Sequence, residues 1–275
     1  MNLSSLLIEA LNNDANSTIK ESMLYSLLGK SKHLRSKLIE AIVLDYNLDS
    51  KIAHPSAIAL EMIQTYSLIH DDLPAMDDDD MRRNQLSNHK KFNEAVAILT
   101  GDALLTKAFE VIVDSEYDDQ IKVAIMKELS YASGMSGMIL GQHFDMNPSL
   151  LDSNNAIMRM YTLKTGMLFG AAFAIGAILS NVGDSIDNYR SIGQTLGVAF
   201  QVQDDLLEIQ KTASQLGKSR SDETNQKVNF VSAKGKEEAT YICDNAFKDV
   251  YESLSALHDH PQVIGLIKTI QKRGY

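Results

Sequence analysis

The sequence predicts an all-α fold: a bundle of about ten helices around one deep cavity, forming a single domain over residues 1–275. Three observations carry that reading. Apolar residues recur at helical spacing along most of the chain, while the strict alternation of a half-buried strand is scarce. The four prolines are Pro55, Pro74, Pro148 and Pro261, and none falls between the last two. The long apolar run from Ile157 to Leu179 is rich in glycine and alanine, which at helical spacing let two helices approach closely.

Taken in order, Leu3, Leu6, Leu7 and Leu11 form the first stripe, and Met23, Leu24, Leu27 and Leu28 the second. Leu38, Ile39, Ile42 and Val43 form the third. Pro55 stands where proline is tolerated, in a first helical turn, and the run that follows reaches Asp72. Glu94 to Val113 reads as a helix, and Ile121 to Gln142 as another with irregularity at Gly134 and Gly137. Ile157 to Leu179, Ile186 to Glu208, Glu237 to Leu257 and Val263 to Ile270 complete the set. Lys211 to Lys236 lacks a helical stripe and is polar, so it reads as a long loop of functional size. No repeat or low-complexity linker marks a domain boundary.

Composition bounds the function. A net charge of -10 argues against nucleic acid as a partner, since phosphate backbones demand a cationic surface. A small phosphorylated ligand stays possible where metal and local basic residues supply counter-charge. The single cysteine, Cys243, allows neither an internal disulfide nor a multi-cysteine metal site. The N-terminus has no basic segment followed by an apolar one, and no stretch reads as a membrane-spanning helix. The expectation is a cytoplasmic protein without stable membrane insertion.

Two acidic groups carry the chemistry. Asp71, Asp72, Asp77, Asp78, Asp79 and Asp80 crowd one stretch ahead of Arg82 and Arg83. Asp204, Asp205 and Glu208 form the second group. Asp204 and Glu208 are four apart and share a helix face. Asp71 and Asp77 are six apart and would not, but Pro74 removes a donor and breaks the helix. The aspartates beyond it can then swing back toward Asp71. Both groups follow apolar runs, so both are expected at helix C-termini, where anions are disfavoured. A divalent cation with a Mg²⁺-like preference for oxygen resolves that cost. A solvated acidic loop is the plainer alternative.

The stretch Ser67 to Arg83, SLIHDDLPAMDDDDMRR, resembles the first aspartate-rich motif of trans-isoprenyl diphosphate synthases, most of all the bacterial farnesyl diphosphate synthases. The likeness continues through Glu94 to Leu105, Gly141-Gln142 with Asp145, and Lys164-Thr165-Gly166. Phe200-Gln201-Val202-Gln203-Asp204-Asp205 and Leu216-Gly217-Lys218 extend it. Several motifs in the right order are far more specific than any one of them.

The resemblance implies an isoprenoid-synthase helical bundle that works as a homodimer. It implies condensation of isopentenyl diphosphate with an allylic diphosphate, dimethylallyl or geranyl, to a short-chain product, farnesyl diphosphate above all. The allylic diphosphate would bind through about three Mg²⁺ and ionise, and preorganised cations aimed at the leaving group lower such a barrier. Asp71, Asp77 and Asp204 would hold the metal, with Asp72 and Asp205 assisting. Arg82, Lys164 and Lys218 would contact the same diphosphate, and Thr165 and Gln201 would position it. Lys32, Arg35, His89 and Arg83 would hold isopentenyl diphosphate without metal, and Lys227 would face the allylic site. Tyr66, five residues before Asp71, would form the floor that sets chain length.

The sequence departs from the pattern in places. The usual Gly-Gly-Lys-Arg-x-Arg-Pro reads Lys30-Ser31-Lys32-His33-Leu34-Arg35-Ser36. The usual glycine after the arginine pair is Asn84, the usual last aspartate of the second motif is Glu208, and the late Gly-Lys-Ser/Thr-Thr-Tyr reads Gln226 to Phe230. Geranyl or geranylgeranyl diphosphate synthesis, a weakly active or regulatory subunit, and a terpene cyclase are the alternative readings. The second motif is nearer the synthase form than the cyclase one.

Overall fold

The structure, a computed structural model, describes residues 2–151, 153–210 and 229–273, with backbone alone at 209 and 210. It is all-α, as the spacing predicts. In order come α1 (Leu3–Ala10), α2 (Thr18–Leu27), α3 (Leu34–Asp45), α4 (His54–Asp71), α5 (Asn88–Lys91), α6 (Glu94–Val113), α7 (Asp119–Ser133) and α8 (Met138–Asp145). Then come α9 (Asn154–Tyr161), α10 (Met167–Leu179), α11 (Ile186–Gln210), α12 (Phe230–Lys234), α13 (Lys236–Leu257) and α14 (Pro261–Gln271). Buried apolar side chains run from Leu3 to Ile270 in one cluster.

α10 is the axis of the bundle. All of its residues but Ile178 are buried, and it packs against α11, α3 and α7. Each large apolar side chain it buries contributes roughly 1.5–3 kcal/mol. The small residues have the expected use. A Cβ on Gly193 would lie 2.5 Å from the Phe169 carbonyl oxygen, and one on Gly197 would lie 2.5 Å from the Gly166 Cα. α10 and α11 therefore touch backbone to backbone, which fixes the second acidic group relative to Lys164 and Thr165.

Local chemistry explains the boundaries. Pro55 sits in the first turn of α4. Asn93 accepts from the Val96 amide at 2.9 Å to open α6, and the break expected at Gly134 and Gly137 separates α7 from α8. The Asp45 carboxylate accepts the Gln262 and Val263 amides at 2.9 and 3.1 Å, capping α14 from across the molecule.

Four features differ from the sequence reading. The helix expected over Ile157 to Leu179 is interrupted by a π turn, Thr162–Gly166, whose extra residue re-aims the side chains it carries. α11 does not stop at the second acidic group but continues to Gln210. The helix-end argument thus holds for Asp71 and not for Asp204 and Asp205. Met81–Arg82 and Gln85–Leu86 pair as a short antiparallel hairpin. Its two turn residues, Arg83 (φ 54°) and Asn84 (φ 64°), are left-handed, as a tight hairpin requires, so the position that usually holds glycine is one where asparagine is tolerated. The stretch read as a loop to Lys236 holds α12 at Phe230–Lys234, opened by an Asn229–Ser232 capping box. Residues 211–228 of that stretch, with Lys218 and Lys227, lie outside the described residues.

Candidate active site

The first wall is the end of α4. Asp71 is its last residue. One position earlier, His70 Nε2 meets the Ile98 carbonyl oxygen at 3.0 Å. That ring occupies the space a Cβ on Gly101 would need, only 2.0 Å away, so a glycine in α6 admits the wedge that fixes the end of α4. Beyond Pro74 the chain folds back as expected. The Asp77 amide donates to the Asp71 carbonyl at 2.8 Å, and the Asp79 amide to the Asp72 carbonyl at 3.2 Å.

The second wall is α11. Thr165 donates to Gln201 Oε1 at 2.9 Å, and Gln201 Nε2 donates to Asp205 Oδ1 at 3.2 Å. Tyr161 donates to Asp205 Oδ2 and accepts the Phe230 amide at 2.8 Å. This chain ties the π turn, the second acidic group and α12 together. On the same face, Arg273 Nη1 lies 3.1 Å from Asp204, its guanidinium carbon 3.8 Å from the centre of the Phe200 ring.

Both walls border one cavity of about 700 Å³. Asp71, Arg82, Arg35, Lys164, Thr165, Gln201 and Asp204 supply polar lining, and Tyr66, Leu68, Leu105, Met138, Ile139 and Phe200 supply apolar lining. Two stretches more than a hundred residues apart in sequence thus meet, with cations beside them and an apolar surface for a hydrocarbon chain. Tyr66 is 7 % exposed, its ring edge-on to His70 at 5.9 Å.

The two Asp-Asp pairs behave alike. The first member of each, Asp71 or Asp204, lines the cavity. The second is buried behind it: Asp72 is 2 % and Asp205 5 % exposed. Arg82 donates to Asp72 from Nε at 2.8 Å and from Nη2, and reaches Asp79 at 3.1 Å. Burial pushes each of these two carboxyls up to about 6, Arg82 opposing the rise at Asp72 and Tyr161 opposing it at Asp205. The Arg82 guanidinium is held above its ordinary value despite burial, by its hydrogen bonds and charge attraction to Asp72, so at neutral pH the pair is ionic. Asp72 and Asp205 are therefore placed to hold Arg82 and Gln201, behind the carboxylates that face the cavity.

The remaining expected residues are placed as follows. Lys164 lines the cavity and pairs with Asp145 at 2.5 Å. A Cβ on Gly141 would lie 2.2 Å from the Lys164 amide nitrogen, so that glycine lets α8 close against the π turn. Arg35 lines the cavity with its guanidinium over the Phe169 ring at 4.3 Å, and burial pushes its pKa down to about 10. Arg83 borders an adjoining crevice with Thr65 and Asp72. His89 is buried, its Nδ1 3.2 Å from the Ser87 hydroxyl, and Lys32 is exposed.

The donor set suits a hard divalent cation: carboxylate oxygens on two facing walls. Among the described residues, the His/Asp/Glu trio with ligand atoms within 4.8 Å of one another is Asp78, Asp80 and His89. Lys90 already reaches Asp80 at 2.8 Å there. Among the described residues, Asp71, Asp77 and Asp204 do not form such a trio.

Sequence reasoning missed Glu61, Tyr161 and Arg273. A charged residue inside the apolar run of α4 is a signal, because a buried carboxylate requires cationic partners. Arg273 carries no local signal, since its contact with Asp204 exists only after α14 docks.

The profile of the family described as polyprenyl synthetase matches residues 16–264. A farnesyl diphosphate synthase of Micrococcus luteus is 40% identical over 246 residues, 88% of this chain and 84% of that protein. The chloroplastic geranylgeranyl pyrophosphate synthase 7 of Arabidopsis thaliana is 36% identical over 243 residues, 86% of this chain and 70% of that protein. Among solved structures, a geranyltransferase from Helicobacter pylori, complexed with magnesium and isoprenyl diphosphate, superposes with a TM-score of 0.83. Its identity is 27%, covering 98% of this chain and 93% of that one. With the two acidic groups facing each other across one cavity, these likenesses establish that the chain belongs to the polyprenyl synthetase family and is a trans-prenyltransferase.

Proposed function

We propose that this protein condenses isopentenyl diphosphate with dimethylallyl or geranyl diphosphate and releases farnesyl diphosphate. The observation that carries this reading is the shared cavity: Asp71 and Asp204 on facing walls, Lys164 and Arg82 beside them, and Tyr66 on the apolar lining.

Asp71, Asp77 and Asp204 would hold about three magnesium ions, as the family resemblance implies. Magnesium bound there neutralises charge that grows on the departing diphosphate. Lys164 and Arg82 add fixed positive charge aimed at the same oxygens, and so favour the ionised state over the bound substrate. Thr165 and Gln201, linked to each other and to Asp205, orient that diphosphate. Lys218 and Lys227 would join from the segment between α11 and α12. Lys32, Arg35 and Arg83 hold the isopentenyl diphosphate by charge and His89 by hydrogen bonding, without metal, which leaves its carbon–oxygen bond intact. The double bond of that substrate attacks the allylic cation, and a proton leaves the adjacent carbon.

The entire chain acts as one domain, consistent with its single apolar cluster. We place it in the cytoplasm: among the described residues, the one segment long and apolar enough to span a bilayer, Asn154–Leu179, has 78% of its most apolar 18-residue window buried inside the bundle. A homodimer is supported by the apolar side chains α6 leaves exposed, Ile98, Leu99 and Val113. Geranylgeranyl diphosphate is the second product reading, favoured by the likeness to the Arabidopsis enzyme.

The test is product chromatography after incubating purified protein with labelled isopentenyl diphosphate and Mg²⁺, with dimethylallyl and geranyl diphosphates in parallel. A fifteen-carbon product from both supports the proposal. A twenty-carbon product selects the second reading. Allylic diphosphate consumed without isopentenyl diphosphate indicates a cyclase, and no turnover indicates a subunit needing an active partner.

A further inference from the structure

Glu61 sits in the third turn of α4 and is 3 % exposed. Its Oε1 lies 3.1 Å from His33 Nδ1 and 3.9 Å from Arg83 Nη2. Its Oε2 accepts from the Ser36 hydroxyl at 3.3 Å. Arg35, next to Ser36 in the first turn of α3, feels the Glu61 charge as well. One buried carboxylate therefore gathers the start of α3 and the turn of the hairpin, segments that meet only in the folded chain.

We infer that Glu61 is the positioning residue of the isopentenyl diphosphate site, a carboxylate that aims Arg35 and Arg83 at one metal-free diphosphate. The inference rests on the proposed function.

Three observations carry it. The first is the field. Among the charges around them, Glu61 acts most strongly on both Arg35 and Arg83, and its Oε1 lies 3.9 Å from Arg83 Nη2, so one carboxylate bears on two guanidiniums from separate segments. The second is Arg35. Its Nε is buried and has no hydrogen-bond partner among the described residues, while the guanidinium lies over Phe169 and borders the cavity. The Phe169 face and the field of Glu61 hold it, leaving donors for a ligand. The third is where the sequence departs from the family motif. His33 and Ser36 replace the usual arginine and proline, and both now contact Glu61. His33 does so from a left-handed backbone, φ 47°, a conformation that persists only where surroundings hold it. In this chain the carboxylate organises a segment that has lost its rigid residues.

Charge and geometry make opposite predictions, which gives the test its sign. Removing a carboxylate leaves the site more positive, and by field alone a diphosphate would bind more tightly. Removing a positioning group lets two like-charged guanidiniums swing apart, and binding weakens because preorganisation is lost. Steady-state kinetics of Glu61→Gln decide between them. KM for isopentenyl diphosphate should rise at least about tenfold, the scale of one hydrogen bond to a charged group. KM for geranyl diphosphate should stay within about twofold, as the residues Glu61 contacts, His33, Ser36 and Arg83, are not assigned to the allylic diphosphate. Glu61→Asp, with the charge restored on a shorter arm, should recover part of the loss. An unchanged or lowered KM for isopentenyl diphosphate, or an equal rise in both KM values, overturns the inference. Should Glu61→Gln fail to fold, His33→Gln and Ser36→Ala each remove one Glu61 contact, and each should raise the same KM selectively; no rise in either overturns it. A wild-type enzyme that consumes no isopentenyl diphosphate removes the proposed function as well. A wild type that turns over beside an unaffected Glu61→Gln removes this inference alone.

Discussion

Replacing Tyr66 with alanine should lengthen the product. The ring is 7 % exposed and borders the cavity beside His70, so its removal opens space where a growing chain would otherwise stop. One more isoprene unit brings five carbons. At about 0.8 kcal/mol for each buried CH₂, filling that space gains up to about 4 kcal/mol. Since about 1.4 kcal/mol is a factor of ten, the ceiling is nearly three orders of magnitude in product partition. Incomplete filling lowers this, and a shift of at least about tenfold in the ratio of twenty- to fifteen-carbon product is expected. Losing a buried aromatic costs stability as well, roughly 3 kcal/mol at the low end for such a change, or about 6–12 °C in melting temperature at this size. The assay is product chromatography at 25 °C beside calorimetry. Tyr66→Phe keeps the ring and should keep the wild-type product. An alanine variant that is folded and active with an unchanged product ratio would refute the reasoning and make Tyr66 a packing residue.

Other outcomes follow from the same geometry. Asp45→Ala removes the carboxylate that caps α14 through the Gln262 and Val263 amides and lies 3.5 Å from His260. It should cost roughly 2–4 kcal/mol, and a melting temperature unchanged in calorimetry would contradict the cap. Gly193→Ala places a Cβ 2.5 Å from the Phe169 carbonyl oxygen. It should destabilise by about 1–3 kcal/mol or more through overpacking, and wild-type stability in urea would show that α10 and α11 can separate freely. Cys243 is 5 % exposed, and burial pushes its thiol up to about 12. At pH 8 a disulfide reagent should modify it at least about a hundredfold more slowly in the native protein than in urea; equal rates would contradict the packing of α13 against α11.

What was legible in the sequence is what local chemistry decides. Pro74 had to break α4, and the chain does fold back so that Asp77 meets Asp71 through its backbone. Glu94 to Val113 reads as a helix, and α6 has those bounds, opened by the Asn93 side chain. The glycines of the long apolar run were readable as a close approach, though their partners, Gly193 and Gly197, were not. The misses are nonlocal. The second acidic group lies within α11 rather than at its end, with Asp205 held by Tyr161 from α9 and by Gln201 one turn earlier on α11 itself. The separate tasks of the paired aspartates depend on Arg82 and Tyr161, which come from other elements. Glu61 shows itself as a charge in an apolar stripe, yet its partners lie on α3 and the hairpin, a pairing that no spacing rule supplies.

The most direct test of the whole account is a crystal structure with Mn²⁺ in place of Mg²⁺ and an unreactive allylic diphosphate analogue, the ions located by anomalous scattering. Asp71 and Asp204 should each ligate an ion, with all of the ions bound to one diphosphate between α4 and α11. Ions on one wall only, or a diphosphate seated away from both carboxylates, would contradict it.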